Sequence, residues 1–165
     1  MAQYATSEEA AAYFADRLHS EVWDAADTDN RTKALKTATV AIDRLRFVGQ
    51  RHAVYVAVQA GATAEAILAS VATQVLEFPR DSDEEIPQDI KNACCEEALA
   101  LLDGKDPDQE LEDLAVISQG YSSVRVTVDR SFTQEHLNAG IVSPRAWRFL
   151  KPYLAESRSF KINRV

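Results

Sequence analysis

The side chains with metal-binding or catalytic chemistry are few and scattered. His19, His52 and His136 stand 33 and 84 residues apart. Cys94 and Cys95 are adjacent, without the gap of two to four residues that lets two thiolates reach one zinc. The expectation is therefore no metal and no cofactor, with Cys94 on a core face and Cys95 packed against a neighbouring helix. Only five glycines are present, and they form neither a phosphate-cradling loop nor a Gly-x-Ser-x-Gly elbow. Carboxylates are abundant. Glu96-Glu97 or Asp83-Glu84-Glu85 could be cast as acid and base, but successive residues on a helix point about 100° apart. Nothing in the sequence supplies the neighbours that would tune a pKa, so both runs read as solvated acidic faces. These observations point away from an enzyme.

The cations are better organised. Arg145, Arg148 and Lys151 recur every three residues, which sets them on one side of a short helix with Trp147 and Leu150 turned elsewhere. Two readings stay open: a stripe that contacts phosphates beside an aromatic ring, or a solvated face that pairs with an acidic neighbour. In the last nine residues Arg158, Lys161 and Arg164 alternate with Phe160 and Ile162, and the chain ends on Val165. Apolar side chains on a cationic tail without acids suit docking on a partner, since they gain nothing by standing free in water.

The whole chain has 165 residues and a net charge of −8. That charge is uneven: residues 1–124 carry 10 basic and 23 acidic side chains, and residues 125–165 carry 8 and 3. An acidic body repels duplex phosphates at long range, so a nucleic-acid role would have to sit in the last forty residues. Unbroken apolar runs reach only six residues, as at 53–58, so no membrane span is expected. The start Met1-Ala2-Gln3-Tyr4 has no basic region followed by an apolar run, which reads as a protein without an export signal.

These residues must be positioned by a mainly helical scaffold, because 22 of the 26 alanines fall before residue 101. Thr6-Ser7-Glu8-Glu9 is a capping box that opens a first helix. Leu35, Ala38, Ile42 and Leu45 form a seam that predicts a helix over 28–46, with Gly49 as its stop. Residues 53–60 alternate valine with alanine, so 54–58 reads as a strand with a helical alternative. Thr63 can cap a helix that sets Ile67, Val71, Val75 and Phe78 on one face and ends at Pro79. Asp81, Asp83, Glu84 and Glu85 lie in an acidic link. Ile90, Cys94, Ala98 and Leu101 predict a helix over 87–103, with Pro87 in its first turn and Gly104 as its stop. Residues 120–123 read as a turn and 124–128 as a strand, followed by the short helix at Ser143-Pro144 and an extended arm over 157–165. The reading is a small helical bundle over 1–123 that includes 50–77, then a strand, a short helix and a basic arm over 124–165.

Several blocks fall together in order. The opening carries Tyr4-Ala5, Ala12-Tyr13-Phe14, Trp23 and the Ala38-x-x-x-Ile42-Asp43-Arg44-Leu45 run. It is followed by Phe78-Pro79-Arg80, by IPQDIKNACCEEALALLDG at 86–104 and by SPRAWRFLKPYL at 143–154. This order resembles the tailed-bacteriophage family of head-to-tail adaptor, or connector, proteins over about half the chain. The resemblance implies a virion protein of the neck that assembles in the host cytoplasm as a ring, commonly of twelve copies, beneath the portal protein. Such a ring extends the channel through which packaged DNA slides and offers a platform to the next neck or tail protein. In that setting Asp81, Asp83, Glu84 and Glu85 would face the channel, and the arm (Arg158, Phe160, Lys161, Ile162, Arg164, Val165) would dock on the portal. Some relatives carry a primosomal, single-stranded-DNA-binding label, which is the alternative. The chain departs from the family between Gly49 and Phe78, where members have a short polar loop. The 28 residues here imply an insertion with its own contact.

Overall fold

The computed structural model describes residues 2–115, 118–121, 124–127 and 134–155. Its centre is the helix α6 (Gln88–Leu102), because the alanines and cysteines on that stretch let other helices approach closely. Ile90, Ala93, Cys94 and Ala98 are wholly or almost wholly buried. Across α6 lies α3 (Thr28–Asp43), which contributes Leu35, Ala38 and Ile42 to the same core. On another side lies α9 (Pro144–Leu150), which adds Ala146 and Leu150. Each buried Leu or Ile contributes about 1.5–3 kcal/mol, so the α3–α6–α9 contact holds the body together.

Shorter helices close the bundle. The capping box forms as the sequence predicts: Thr6 Oγ1 accepts from Glu9 N at 3.2 Å and Glu9 Oε2 accepts from Thr6 N at 2.8 Å, starting α1 (Ser7–Ala15). Helix α2 (Glu21–Ala25) inserts Trp23 against Phe14, with ring centroids 4.8 Å apart. Asp27 caps α3, its carboxylate accepting from Asn30 N.

The predicted strand over 54–58 is a helix instead. Residues His52–Gln59 form α4, and Ala64–Thr73 form α5, capped by Thr63 as expected. The valines alternate, but the stretch packs against α5 as a helix, so helix pairing overrides β propensity. Helix α5 ends at Thr73, not at Pro79. Gln74 turns the chain by accepting from Ala53 N and donating to the carbonyls of Leu76 and Pro79. Phe78 therefore reaches the core, whereas Val71 and Val75 remain in solvent.

Helix α3 stops at Asp43, six residues before Gly49. Gly49 has another function: it sits at φ +79°, and a Cβ there would collide with the Asp81 carboxylate. Pro87 is the N-cap of α6 rather than a first-turn residue, and Gly104 ends the helix at φ +80°. Beyond it come α7 (Pro107–Ala115) and an antiparallel pair, β1 (Ser118–Tyr121) with β2 (Val124–Thr127), in register Ser118 to Thr127 and Tyr121 to Val124. The strand expected at 124–128 thus appears at 124–127, and its partner β1 takes in Gly120 and Tyr121, which the sequence reading placed in the turn at 120–123. The short α8 (Glu135–Asn138) leads to α9 and a single 3-10 turn, Lys151–Tyr153.

Candidate interaction surfaces

Helices α4 and α5 pack on each other and make no comparable contact with any other helix among the described residues. Neither contains a fully buried residue. Val54, Tyr55, Ile67 and Ser70 are half-buried, while Val56, Val58, Leu68, Val71 and Val75 are exposed, Leu68 and Val75 at 72% and 71%. Between residues 52 and 75 the only charged side chain is Glu65. The pair is thus a largely apolar projection, with a single exposed charge, from an acidic chain.

The root of the projection is held firmly. Glu77 receives Arg51 on Oε1, from Nε at 3.1 Å and Nη2 at 2.5 Å, and Arg80 on Oε2, from Nη1 at 2.6 Å. Arg80 also donates to the carbonyls of Val48 and Gly49 and lies over the rings of Phe47 and Phe78. Beneath it, Phe78 meets Phe47, Tyr153 and Tyr4 edge-on, at centroid distances of 4.7, 5.7 and 6.1 Å. The Tyr4 hydroxyl donates to Asp43, and burial, reinforced by that bond and the carboxylate's charge, raises its pKa far above the ordinary phenol value. His52 Nδ1 lies 2.9 Å from the carbonyl of Asp81.

The acidic link divides in two. Asp83, Glu84 and Glu85 are exposed, whereas Asp81 turns inward: its carboxylate accepts from Gln50 N at 2.9 Å and its own N–H donates to Gln50 O at 2.8 Å. Asp81 is thereby a turn residue that closes the root of the α4–α5 pair.

Glu96 and Glu97 are not a solvated face. They are 3% and 1% exposed, because both point into the seams around α6. Glu96 takes Arg17 in a two-point ion pair and the hydroxyl of Tyr13 at 2.8 Å. Glu97 accepts the N–H groups of Val142 and Ser143, both at 2.9 Å, and so fixes the chain at the entry to α9. Burial raises its pKa against the opposing pull of those two bonds. Cys94 and Cys95 are both buried, and burial pushes the Cys94 thiol up to about 11. It is a packed side chain rather than a nucleophile.

Arg145 and Arg148 are exposed on α9 and line an open cleft of about 580 Å³ with Arg17, His19, Glu21 and Lys105. Among the described residues neither Arg145 nor Arg148 has a carboxylate within ion-pair distance, and Lys151 has only Glu135 at 3.8 Å. At the cleft rim His19 adopts φ +64°, its carbonyl and that of Leu18 taking Arg17 Nη1. His52 lies at the helical root instead, and His136 is buried on α8, which lowers its pKa. Among the described residues no three His, Cys, Asp or Glu side chains gather closely enough to hold a metal ion, and no helix is long and apolar enough to cross a membrane.

The arm residues Arg158, Phe160, Lys161, Ile162, Arg164 and Val165 lie outside the described residues. The chain leading to them is placed: Ala155 N donates to Arg46 O and Val48 N to Tyr153 O, both at 2.9 Å. Sequence reasoning missed the outward face of α4–α5 and both buried glutamates. The three-four spacing of Leu68, Val71 and Val75 was the available signal for the first. Compared with protein-family models, with curated proteins and with solved structures, the chain has no match.

Proposed function

We propose that the protein is a non-catalytic assembly component, a head-to-tail adaptor that joins a ring beneath a phage portal, lets packaged DNA pass without binding its sequence and receives a neck or tail protein. The observation that carries this reading is the α4–α5 projection, a largely apolar surface with one charge, Glu65, on a clamped root, which suits protein contact better than catalysis. The acidic composition of residues 1–124 supports it, since fixed negative charge along a channel keeps phosphates sliding. The cationic arm over 157–165 is assigned to the portal.

The deciding experiment mixes the full chain with the cognate portal protein and images the product. A ring of adaptor copies on the portal supports the reading, and a chain lacking residues 157–165 keeps its helical fold but no longer attaches. Exposed Arg145, Arg148 and Lys151 favour the single-strand-binding alternative. Micromolar or tighter binding of an oligonucleotide in about 0.15 M salt, lost on replacing those three side chains, would establish that alternative instead.

A further inference from the structure

We infer that copies of this chain join head to tail, the acidic link of one (Asp83, Glu84, Glu85) seated on the exposed arginines of α9 in the next (Arg145, Arg148). As the copy-to-copy contact of a ring, it rests on the adaptor reading. The two charged patches stand at opposite ends of α6. The link runs directly into the start of that helix, and its three carboxylates are exposed. Helix α9 lies back along α6, because Glu97 holds its entry at Val142 and Ser143, and Tyr153, just past its end, reaches Asp89. Arg145 in its first turn therefore lies beside Leu99, Ala100 and Asp103. Leu99 is eleven residues beyond Gln88, about 16 Å along the helix. Lys151, at the other end of α9, is not part of the contact. The patches do not meet within one chain: among the described residues no ion pair joins them.

Charge selects the occupant. Arg145 and Arg148 share their cleft with Glu21, Asp103 and the buried Glu96, whose carboxylates disfavour a continuous phosphate strand. Two cations one helical turn apart match a short run of carboxylates instead. The link is already held in place for this. Asp81 accepts from Gln50 N at 2.9 Å, and Asp83 N donates to Arg80 O at 3.0 Å, so little freedom is lost when it docks.

A contact between two different patches propagates. Each copy gives its link to one neighbour and its arginines to the other, which builds a ring when the rotation between copies closes. Exposed ion pairs are individually weak, so a single contact dissociates readily in dilute solution. The closed ring, in which every copy is held from both sides, supplies the strength.

The test is sedimentation of the full chain, native and in two charge-reversed variants, up to about 2 mM in about 0.15 M salt, where long-range repulsion is screened. The expected native mass rises above 18.3 kDa with concentration. Arg145→Glu with Arg148→Glu, and separately Asp83→Lys with Glu84→Lys and Glu85→Lys, should each raise the half-association concentration at least tenfold, with unchanged circular dichroism. An equal mixture of the two variants should recover association, because each patch then meets its opposite. Exchanging three acids for lysines moves the net charge from −8 to −2, so bulk repulsion alone would make that variant associate better than the native chain. In a second measurement, Ser82→Cys with Pro144→Cys in one chain, both exposed positions, should oxidise to a ladder beyond the dimer. Ser82→Cys alone should stop at dimers, the native thiols being buried. A constant 18.3 kDa, a lysine variant that associates better than the native chain, or a mixture that fails to recover would each overturn the inference. A single-stranded oligonucleotide that binds the native chain but not the Arg145→Glu, Arg148→Glu variant, at constant protein mass, would overturn it by giving the cleft to nucleic acid. Imaging on the portal separates this failure from that of the adaptor reading. Rings built equally by both variants would sink the contact alone, whereas rescue by mixing without portal attachment would support the contact and sink the adaptor reading.

Discussion

Arg17 and Glu96 meet through two parallel bonds, Nε to Oε1 at 2.6 Å and Nη2 to Oε2 at 2.8 Å, across 79 residues of sequence. With Arg17 Nη1 bound to the carbonyls of Leu18 and His19, the pair ties α1 and the strained turn after it to the side of α6. Breaking one partner strands a buried charge, so Arg17→Met should cost about 3–5 kcal/mol. Replacing both, with Glu96→Leu added, should cost less than Arg17→Met alone. Urea unfolding of the single and double variants measures the difference.

Glu97 sets a pH dependence. Burial holds its folded-state pKa above the unfolded value, so the stability it contributes is complete below about pH 4.3 and is lost as pH rises through the folded value. The advantage of the native protein over Glu97→Gln should therefore be largest in acid and shrink toward neutrality. Urea midpoints of both proteins between pH 4 and 7 give the answer, and a gap that widens with pH would refute the assignment.

Glu77 should control the projection more than the body. Glu77→Ala releases Arg51 and Arg80 together, leaving half-buried Arg51 and buried Arg80 without a counter-charge, at a cost of about 2–3 kcal/mol. Hydrogen exchange should show amides of α4 and α5 losing protection by tenfold or more, while those of α3 and α6 change little. Equal loss in all four helices would mean that the projection and the body open as one unit.

Gly49 meets two demands, a left-handed backbone and a close carboxylate. Gly49→Ala should destabilise by about 1–3 kcal/mol from the backbone alone. Gly49→Ala combined with Asp81→Ala removes the collision but also the bond to Gln50 N, so the double variant should recover only part of the loss. Thermal unfolding of the three proteins compares them.

The parts of this fold written in local spacing could be read from the sequence. Leu35, Ala38 and Ile42 on α3, with Ile90, Cys94 and Ala98 on α6, repeat at three and four and are buried together, and Thr6, Thr63 and Ser143 cap the helices they precede. What escaped was set by distant partners. Glu96 and Glu97 look like surface carboxylates until Arg17 and the Val142-Ser143 amides arrive from 79 and 45 residues away. Val71 and Val75 have the spacing of core residues, and only the turn at Gln74 shows that Phe78 alone goes inside. Valine alternation at 54–58 favoured a strand because the pairing helix, α5, was not weighed with it.

The short antiparallel pairing of residues 46–48 with 153–155 has a mechanical meaning. Tension applied to the chain beyond Ala155 first loads the rungs Ala155–Arg46 and Val48–Tyr153. Those rungs carry the pull to the segment between α3 and the root of the α4–α5 pair before α9 feels it. A force on the chain beyond Ala155 would be transmitted to the projection's base, which makes this pairing a lever acting on the α4–α5 pair.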